Sequence, residues 1–163
     1  MTETKEPTIY RLVKSTFGCG DRRAVLRDNP EATVTRLTRA AVQFNHRAIQ
    51  DFGGREEETR GVGLVEQVIG SAFQSFGGVE HYSDDFSKAA KVLQGITGGH
   101  PFNDGNKRTG FLTAAYLLEQ TGHSLPDNLS IERAEKLCME ISSGRLRDEK
   151  VIAKELRKIW SGR

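Results

Sequence analysis

Apolar residues recur along most of the chain with the 3.6-residue period of amphipathic helices. Glycine pairs, or residues that commonly cap helices, separate the periodic segments. The pattern predicts helices over about 31–51, 64–72, 86–96, 109–118, 131–142 and 151–160. The fourth segment differs from the others because it is apolar on nearly every face, which is typical of a central, buried helix.

One segment breaks the helical pattern. Residues Phe73 to Tyr82 place Gly77-Gly78 between short aromatic and β-branched flanks, which is a hairpin signal. The sequence therefore predicts an all-α fold with one small β-hairpin. Residues 1–30 do not fit the pattern and are assigned to an N-terminal extension of unknown role, followed by one domain over 31–163. Residues 55–60 are predicted to form a charged linker within that domain.

Composition narrows the function classes. The chain has 163 residues, enough for one core, and 24 Lys and Arg against 22 Asp and Glu give a net charge of +2. This balance offers no argument for direct nucleic-acid binding. Cys19 and Cys138 are too few for a disulfide framework, and no apolar run approaches the roughly 20 residues that span a bilayer. We therefore expect a cytoplasmic protein with no membrane association.

The strongest chemical signal is the stretch His100-Pro-Phe-Asn-Asp-Gly-Asn-Lys-Arg108, which directly precedes the buried helix. The first N–H groups of a helix point at a potential anion. Gly105 permits close approach of the backbone, and the Asn106 amide is predicted to donate to a phosphate oxygen. Lys107 and Arg108 add positive charge that suits phosphates.

Two further residues of this stretch have chemical roles. Asp104 offers one carboxylate, and Mg²⁺ commonly binds one or two carboxylates together with phosphates and water. His100 is predicted to act as the base that takes a proton from a hydroxyl nucleophile. Taken singly, each of these residues is more simply a loop or surface residue. Together, before a buried helix, they favour transfer of part of a nucleoside triphosphate to a protein hydroxyl.

Other nucleotide and metal motifs fit less well. A P-loop requires glycine directly before Lys-Ser/Thr, whereas this chain has Gly105-Asn106-Lys107. Gly61-Val-Gly63 carries only part of a dinucleotide fingerprint, with no predicted strand before it. No second pair of His or Cys residues stands at zinc-ligand spacing. His81 and His123 are interpreted as structural or exposed.

The motif His100-x-Phe-x-Asp-Gly-Asn-Lys-Arg108 resembles the signature of the Fic/Doc (Fido) proteins, in particular the death-on-curing toxins of toxin–antitoxin modules. The similarity extends from about Phe44 to Trp160. It implies a compact Fido-type helical bundle with a small β-hairpin flap, formed here by Ser75, Phe76, Gly77, Gly78 and Val79. It also implies that His100 is the catalytic base, that Asp104 binds Mg²⁺, and that the segment Gly105–Arg108 binds the phosphates of ATP.

Two positions separate the branches of that family. Adenylyl-transferring members usually carry glycine where this chain has Lys107, and a second arginine where it has Phe111. Death-on-curing toxins share both departures and are thought to act as kinases. The resemblance therefore implies a Ser/Thr kinase. An adenylyl transferase, which leaves AMP on a hydroxyl, and an inactive Fido binding module remain as alternatives.

The resemblance also implies partners. The expected protein substrate is a translation factor, with elongation factor Tu as the leading candidate. Modification of that factor would inhibit translation. The sequence lacks the family's internal inhibitory pattern, in which glutamate precedes Gly or Asn. Restraint would then come from a small antitoxin with a segment that folds on binding.

Overall fold

The computed structural model describes residues 29–53 and 61–163, with the side chain of Phe52 left out. The predicted extension, apart from Asn29 and Pro30, and the predicted charged linker lie outside these residues. Within them the chain forms six α-helices, one 3₁₀ turn (Ser71–Phe73) and one hairpin. The helices are α1 (Pro30–Phe52), α2 (Val62–Gly70), α3 (Asp85–Gly99), α4 (Asn106–Gln120), α5 (Ile131–Ser142) and α6 (Glu149–Ser161). The predicted all-α fold with one small hairpin is confirmed.

Local capping explains where most of these helices begin. The Asn29 side chain accepts a hydrogen bond from the Ala32 N–H at 3.2 Å, and Pro30 occupies the first turn of α1. Asp84, Ser130 and Asp148 each accept from a backbone N–H in the first turn of α3, α5 and α6, respectively. Because α4 follows Gly105, its N-cap residue supplies no such side-chain bond.

Helix α4 is the centre of the fold, as its apolar sequence predicts. Every residue from Thr109 to Leu118 is buried. Helix α3 packs more extensively against α4 than against any other described element, and α1 covers another face of α4. The position of the first turn of α4 is therefore fixed by the hydrophobic core.

The approach of α3 to α4 depends on a glycine. A Cβ atom on Gly110 would stand 2.3 Å from Thr97 Oγ1 and 3.4 Å from the Leu93 carbonyl oxygen. Such a distance is too short for a side chain to fit without moving the helices apart. Gly110 thus sets the separation of the two helices that flank the His100–Arg108 segment.

The hairpin consists of β1 (Ser75–Phe76) and β2 (Val79–Glu80), paired antiparallel with Phe76 opposite Val79. Gly77 and Gly78 form the turn with φ angles of 59° and 79°, which glycine adopts without steric cost. A hydrogen bond from the His81 N–H to the Gln74 carbonyl oxygen, 3.0 Å long, closes the base of the hairpin. The predicted hairpin is confirmed at its predicted position.

The last helix is anchored by Trp160. Its indole packs at 6.0 Å from the Phe111 ring and 6.4 Å from the Phe86 ring, centroid to centroid, and its N–H donates to the His123 carbonyl oxygen. These contacts join α6 to both α3 and α4. None of the helices in the described ranges combines the length and the apolar character that crossing a bilayer requires.

We expect Gly110→Ala to lower the free energy of unfolding by about 1–3 kcal/mol, because the added methyl group overpacks the α3–α4 contact. Alanine in an open helical position would instead add up to about 1 kcal/mol. Gly63→Ala is the matched control, since its Cβ meets nothing within 4 Å. Chemical denaturation of both variants measures the difference. Equal stability of the two variants would contradict the close approach at Gly110.

Candidate functional site

His100 lies where α3 ends, and its backbone is unusual. It adopts the left-handed conformation, with φ 49° and ψ 55°, and its N–H bonds to the Ile96 carbonyl oxygen at 3.2 Å. Among the described residues it is the only non-glycine with positive φ. The sequence predicted that Gly98-Gly99 would end the helix, but the helix continues through Gly99 and His100 is its C-cap. The turn keeps the His100 residue exposed to solvent.

The segment after His100 is attached to the core at Pro101 and Phe102, which are both buried. Phe102 is only 2% exposed and belongs to the same hydrophobic cluster as α3 and α4. An exposed histidine is thus followed directly by a fixed anchor, which limits how far the imidazole can move.

Asn106 shapes the same loop from the first position of α4. Its Oδ1 accepts from the Phe102 N–H at 3.0 Å, and its Nδ2 donates to the Phe102 carbonyl oxygen at 2.9 Å. The residue is 8% exposed. The sequence analysis assigned the amide to a phosphate oxygen. In the structure both of its polar atoms bond to the loop backbone, so the contact to phosphate stays a prediction.

Asp104 and Gly105 form the turn that leads into α4. Asp104 is exposed, and its Oδ1 accepts from the Gly105 N–H at 2.7 Å. Gly105 has φ 73°, and a Cβ there would lie 3.1 Å from Asn45 Nδ2. Glycine is therefore required at this position for its backbone conformation and for the space around it.

The first turn of α4 concentrates positive charge. Lys107 and Arg108 are exposed there, and Gly105 supplies no side chain to occupy the first N–H groups. A helix N-terminus with available N–H groups and adjacent cations attracts anions. Lys107 also lies near α5: burial raises the pKa of the Cys138 thiol to about 12, with the Lys107 charge acting in the opposite direction.

Asn45, on α1, completes the site and was missed by the sequence analysis. Its Nδ2 donates to the Asp104 carbonyl oxygen at 2.7 Å and to Thr109 Oγ1 at 3.2 Å. It is 8% exposed. A polar residue beside Phe44 on the apolar face of α1 was the available signal, because buried polar groups need specific partners.

A recess of about 430 Å³ opens at the C-terminal end of α3. One wall is the C-terminal end of α3, including Gly98 and Gly99, and the other is the connection between α5 and α6. The Gln94 side chain joins the two walls by donating to the Arg147 carbonyl oxygen at 3.3 Å. This recess could not be predicted from the sequence, since the α5–α6 connection carries no motif.

The hairpin is held to the same helices. Lys88 on α3 pairs with Glu80 at 3.1 Å, and Tyr82 donates to Glu149 on α6 at 2.5 Å. Lys91 on α3 donates to the second oxygen of Glu149 at 2.8 Å. The tip of the hairpin is apolar and open to solvent, because Phe76 and Val79 are 70% and 71% exposed.

Glu149 accepts from both neighbours as a carboxylate. Burial alone would raise the pKa of Glu149, but the hydrogen bonds from Lys91 and Tyr82 and the Lys91 charge outweigh it and lower that pKa. Burial and the bond to Glu149 raise the pKa of Tyr82 to about 12. The phenol and the carboxylate therefore keep complementary states at neutral pH, which stabilises the base of the hairpin.

The residues present fit a metal ion that arrives with phosphates. Within residues 29–53 and 61–163, no group of three His, Cys, Asp or Glu side chains is placed to hold a metal. Asp104 is a carboxylate that is exposed beside the start of α4. One carboxylate near an anion site suits Mg²⁺, whose remaining ligands are commonly phosphate oxygens and water.

The remaining histidines lie outside this group. His123 contacts Asp85 at 3.1 Å and packs against Phe86, His81 packs against Tyr82, and exposed His46 contacts Gln50. The first two therefore have structural contacts, as interpreted from the sequence.

Comparison with known proteins gives two matches. The family model described as the Fic/DOC family matches residues 36–118. The chain is also similar to a protein of Mycolicibacterium smegmatis (strain ATCC 700084 / mc(2)155) named Toxin Doc. The two are 35% identical over 92 residues, which cover 56% of this chain and 70% of that protein. Both α1, from Arg36 onward, and the whole His100–Arg108 segment fall within the matched residues.

The left-handed backbone at His100 generates a stability prediction. This conformation costs a non-glycine residue about 1–2 kcal/mol. Glycine avoids that cost, but its greater conformational freedom in the unfolded chain cancels about half of the gain. We therefore expect His100→Gly to raise the free energy of unfolding by about 0.5–1 kcal/mol, measured by denaturant titration. His123→Gly is the matched control and should lose stability, because it removes the contacts to Asp85 and Phe86. A clear loss of stability in His100→Gly would contradict the assigned conformation.

Proposed function

Because the chain belongs to the Fic/DOC family, we propose that it is a toxin that transfers a phosphoryl group from ATP to a Ser or Thr hydroxyl of a translation factor. Elongation factor Tu is the leading candidate for that target. The observation that carries this proposal is the position of exposed His100 in the loop that leads into the first turn of α4. The N-cap residue of that turn makes no side-chain hydrogen bond to its first N–H groups, and the turn carries Lys107 and Arg108.

The proposed reaction assigns one task to each residue. The His100 imidazole accepts the proton of the target hydroxyl, whose oxygen then bonds to the γ-phosphorus. The bond between that phosphorus and the β–γ bridging oxygen breaks, and ADP leaves. Arg108, Lys107 and the first N–H groups of α4 stabilise the negative charge on the phosphates. Asp104 would hold Mg²⁺, which when bound neutralises part of that charge.

Phe111 favours phosphoryl transfer over adenylyl transfer. It stands where adenylyl-transferring relatives carry a second arginine, and here it is 2% exposed and packs on Trp160. The core at this position therefore holds an apolar ring in place of a cation directed at phosphate. Lys107, which replaces the glycine of those relatives, fills space beside the anion site and supports the same choice.

The hairpin is proposed to dock the target segment. An extended segment can add to the edge of a strand through main-chain hydrogen bonds, while exposed apolar side chains contact alternate residues of the segment. Ser75, Phe76, Gly77, Gly78 and Val79 form this surface. The recess between α3 and the α5–α6 connection lies on the same side of α3 as the Lys91–Glu149 bridge to the hairpin. It is proposed to contact another part of the substrate.

A small antitoxin is the proposed regulatory partner. The relative from M. smegmatis is named as a toxin. A cell that makes a toxin requires restraint, and the resemblance assigns this to a separate protein with a segment that folds on binding. The partner is proposed to act in the cytoplasm, where translation factors are present.

Mass spectrometry of a bacterial lysate incubated with this protein, ATP and Mg²⁺ tests the reaction. We expect one translation factor to gain phosphate, and His100→Ala and Asp104→Ala to reduce that gain at least a hundredfold and about tenfold, respectively. Removing the metal with a chelator should abolish the gain. His46→Ala, at an exposed histidine on α1, is the control and should retain activity.

Different products would exclude this proposal in different ways. Gain of AMP in place of phosphate identifies the adenylyl transferase. Absence of any modified protein, with growth arrest that persists in His100→Ala, identifies a binding module and removes the catalytic assignment.

Docking by the hairpin is tested with the double variant Phe76→Ser/Val79→Ser. Since both side chains are largely exposed, the fold should be unaffected, whereas the KM for the target protein should rise about tenfold and the KM for ATP should stay unchanged. Met139→Ser is the control, because Met139 is a 62% exposed apolar residue on α5. An unchanged KM for the target would remove the hairpin from the docking surface.

A further inference from the structure

Asn45 connects the His100–Arg108 segment, and the residue directly after it, to α1. One amide nitrogen reaches the Asp104 carbonyl oxygen before α4 and the Thr109 hydroxyl within it. The two acceptors stand on either side of Gly105, the N-cap of α4. A single side chain from α1 thus spans the junction between loop and helix.

The other hydrogen bonds of Asn106 and Asp104 are local. Asn106 ties Phe102 to the start of α4 and acts on the first half of the loop. The carboxylate of exposed Asp104 accepts from the adjacent Gly105 N–H. The Asn45 contact, by comparison, ties the second half of the loop to a different helix, α1.

The burial of Asn45 and the space around it make its hydrogen bonds sensitive to substitution. The residue is 8% exposed. Its hydrogen bond to the Asp104 carbonyl oxygen is partly buried and its bond to the Thr109 hydroxyl is buried, and such bonds cost more to lose than exposed ones. The Cβ that Gly105 lacks would lie 3.1 Å from the same amide nitrogen. Gly105 and Asn45 therefore fit as a pair, and a larger residue at either position would displace the turn that presents Asp104.

We propose that Asn45 is a positioning residue that fixes the Asp104 carboxylate and the first turn of α4 relative to each other. Mg²⁺ bound to nucleotide would then meet Asp104 and the N–H groups of α4 in a set geometry. This inference rests on the proposed function for its catalytic consequence. The restraint on the loop itself does not depend on which group is transferred.

Asn45→Leu removes the donor with little change in volume. We expect the Mg²⁺ concentration for half-maximal target phosphorylation to rise about tenfold, which corresponds to the loss of about one hydrogen bond. The KM for the target protein should stay the same, because the described hydrogen bonds of Asn45 reach Asp104 and Thr109 and not the hairpin. The backbone amides of residues 103–105 should exchange about tenfold faster, as measured by hydrogen–deuterium exchange mass spectrometry.

Thr38→Val is the matched control. Thr38 is 5% exposed on the same helix, and its hydroxyl donates at 2.7 Å to the Val34 carbonyl oxygen within α1. This variant should lose a buried hydrogen bond without changing the Mg²⁺ dependence or the exchange of 103–105. Should Asn45→Leu not fold, Asn45→Ser carries the same test, since its shorter side chain does not reach the Asp104 carbonyl.

The outcomes separate the two proposals. A raised Mg²⁺ requirement together with faster loop exchange supports the positioning role. Unchanged amide exchange of the loop in Asn45→Leu overturns the positioning role. So does a result in which Asn45→Leu loses stability as Thr38→Val does and shows no other effect. If the protein without substitutions phosphorylates nothing, the proposed function fails. The amide exchange of the loop alone then still decides the role of Asn45.

Discussion

The rest of the structure depends on burial of α4. Its residues from Thr109 to Leu118 are enclosed by the core, yet its first turn opens to solvent at Lys107 and Arg108. A helix held in this way cannot shift or rotate without breaking the packing of α1 and α3. The partial positive charge at its N-terminus is consequently held at one place, which a surface helix of the same length would not achieve. The chemistry of the site begins from that fixed charge.

The loop before α4 uses the same principle on a smaller scale. Buried Phe102 and the two Asn106 hydrogen bonds fix its first half, and Asn45 contacts its second half. The polar groups that remain at the surface, His100 and Asp104, are carried by backbone that is restrained on both sides. Preorganised groups contribute more to a reaction than mobile ones, because no reorganisation is needed when charge develops. The exposed residues of the motif thus depend on the buried ones between them.

Much of this architecture could be predicted from the sequence because its determinants are local. Ser130 and Asp148 mark helix starts through bonds within one turn, and Gly77-Gly78 marks the hairpin through its backbone angles. Asn45 could not be assigned, because its partners are 59 and 64 residues away and periodicity does not show which helices meet. The conformation of His100 was also not foreseen, since two glycines directly before it are the usual places for a left-handed turn. The recess depends on how the α5–α6 connection packs against α3, which no local pattern encodes.

The shortness of the hairpin affects how quickly the protein would release one target and bind the next. Each strand has two residues, so an added segment could form only a few main-chain hydrogen bonds, and its contact area would centre on Phe76 and Val79. So small a contact binds weakly, and low affinity is expressed mainly as a fast off-rate. The bound segment would therefore dissociate rapidly. Under the proposed function, a modified product would leave soon after the reaction. A few copies of the protein could then act in turn on a far larger pool of targets, and their potency would come from turnover rather than from sequestration.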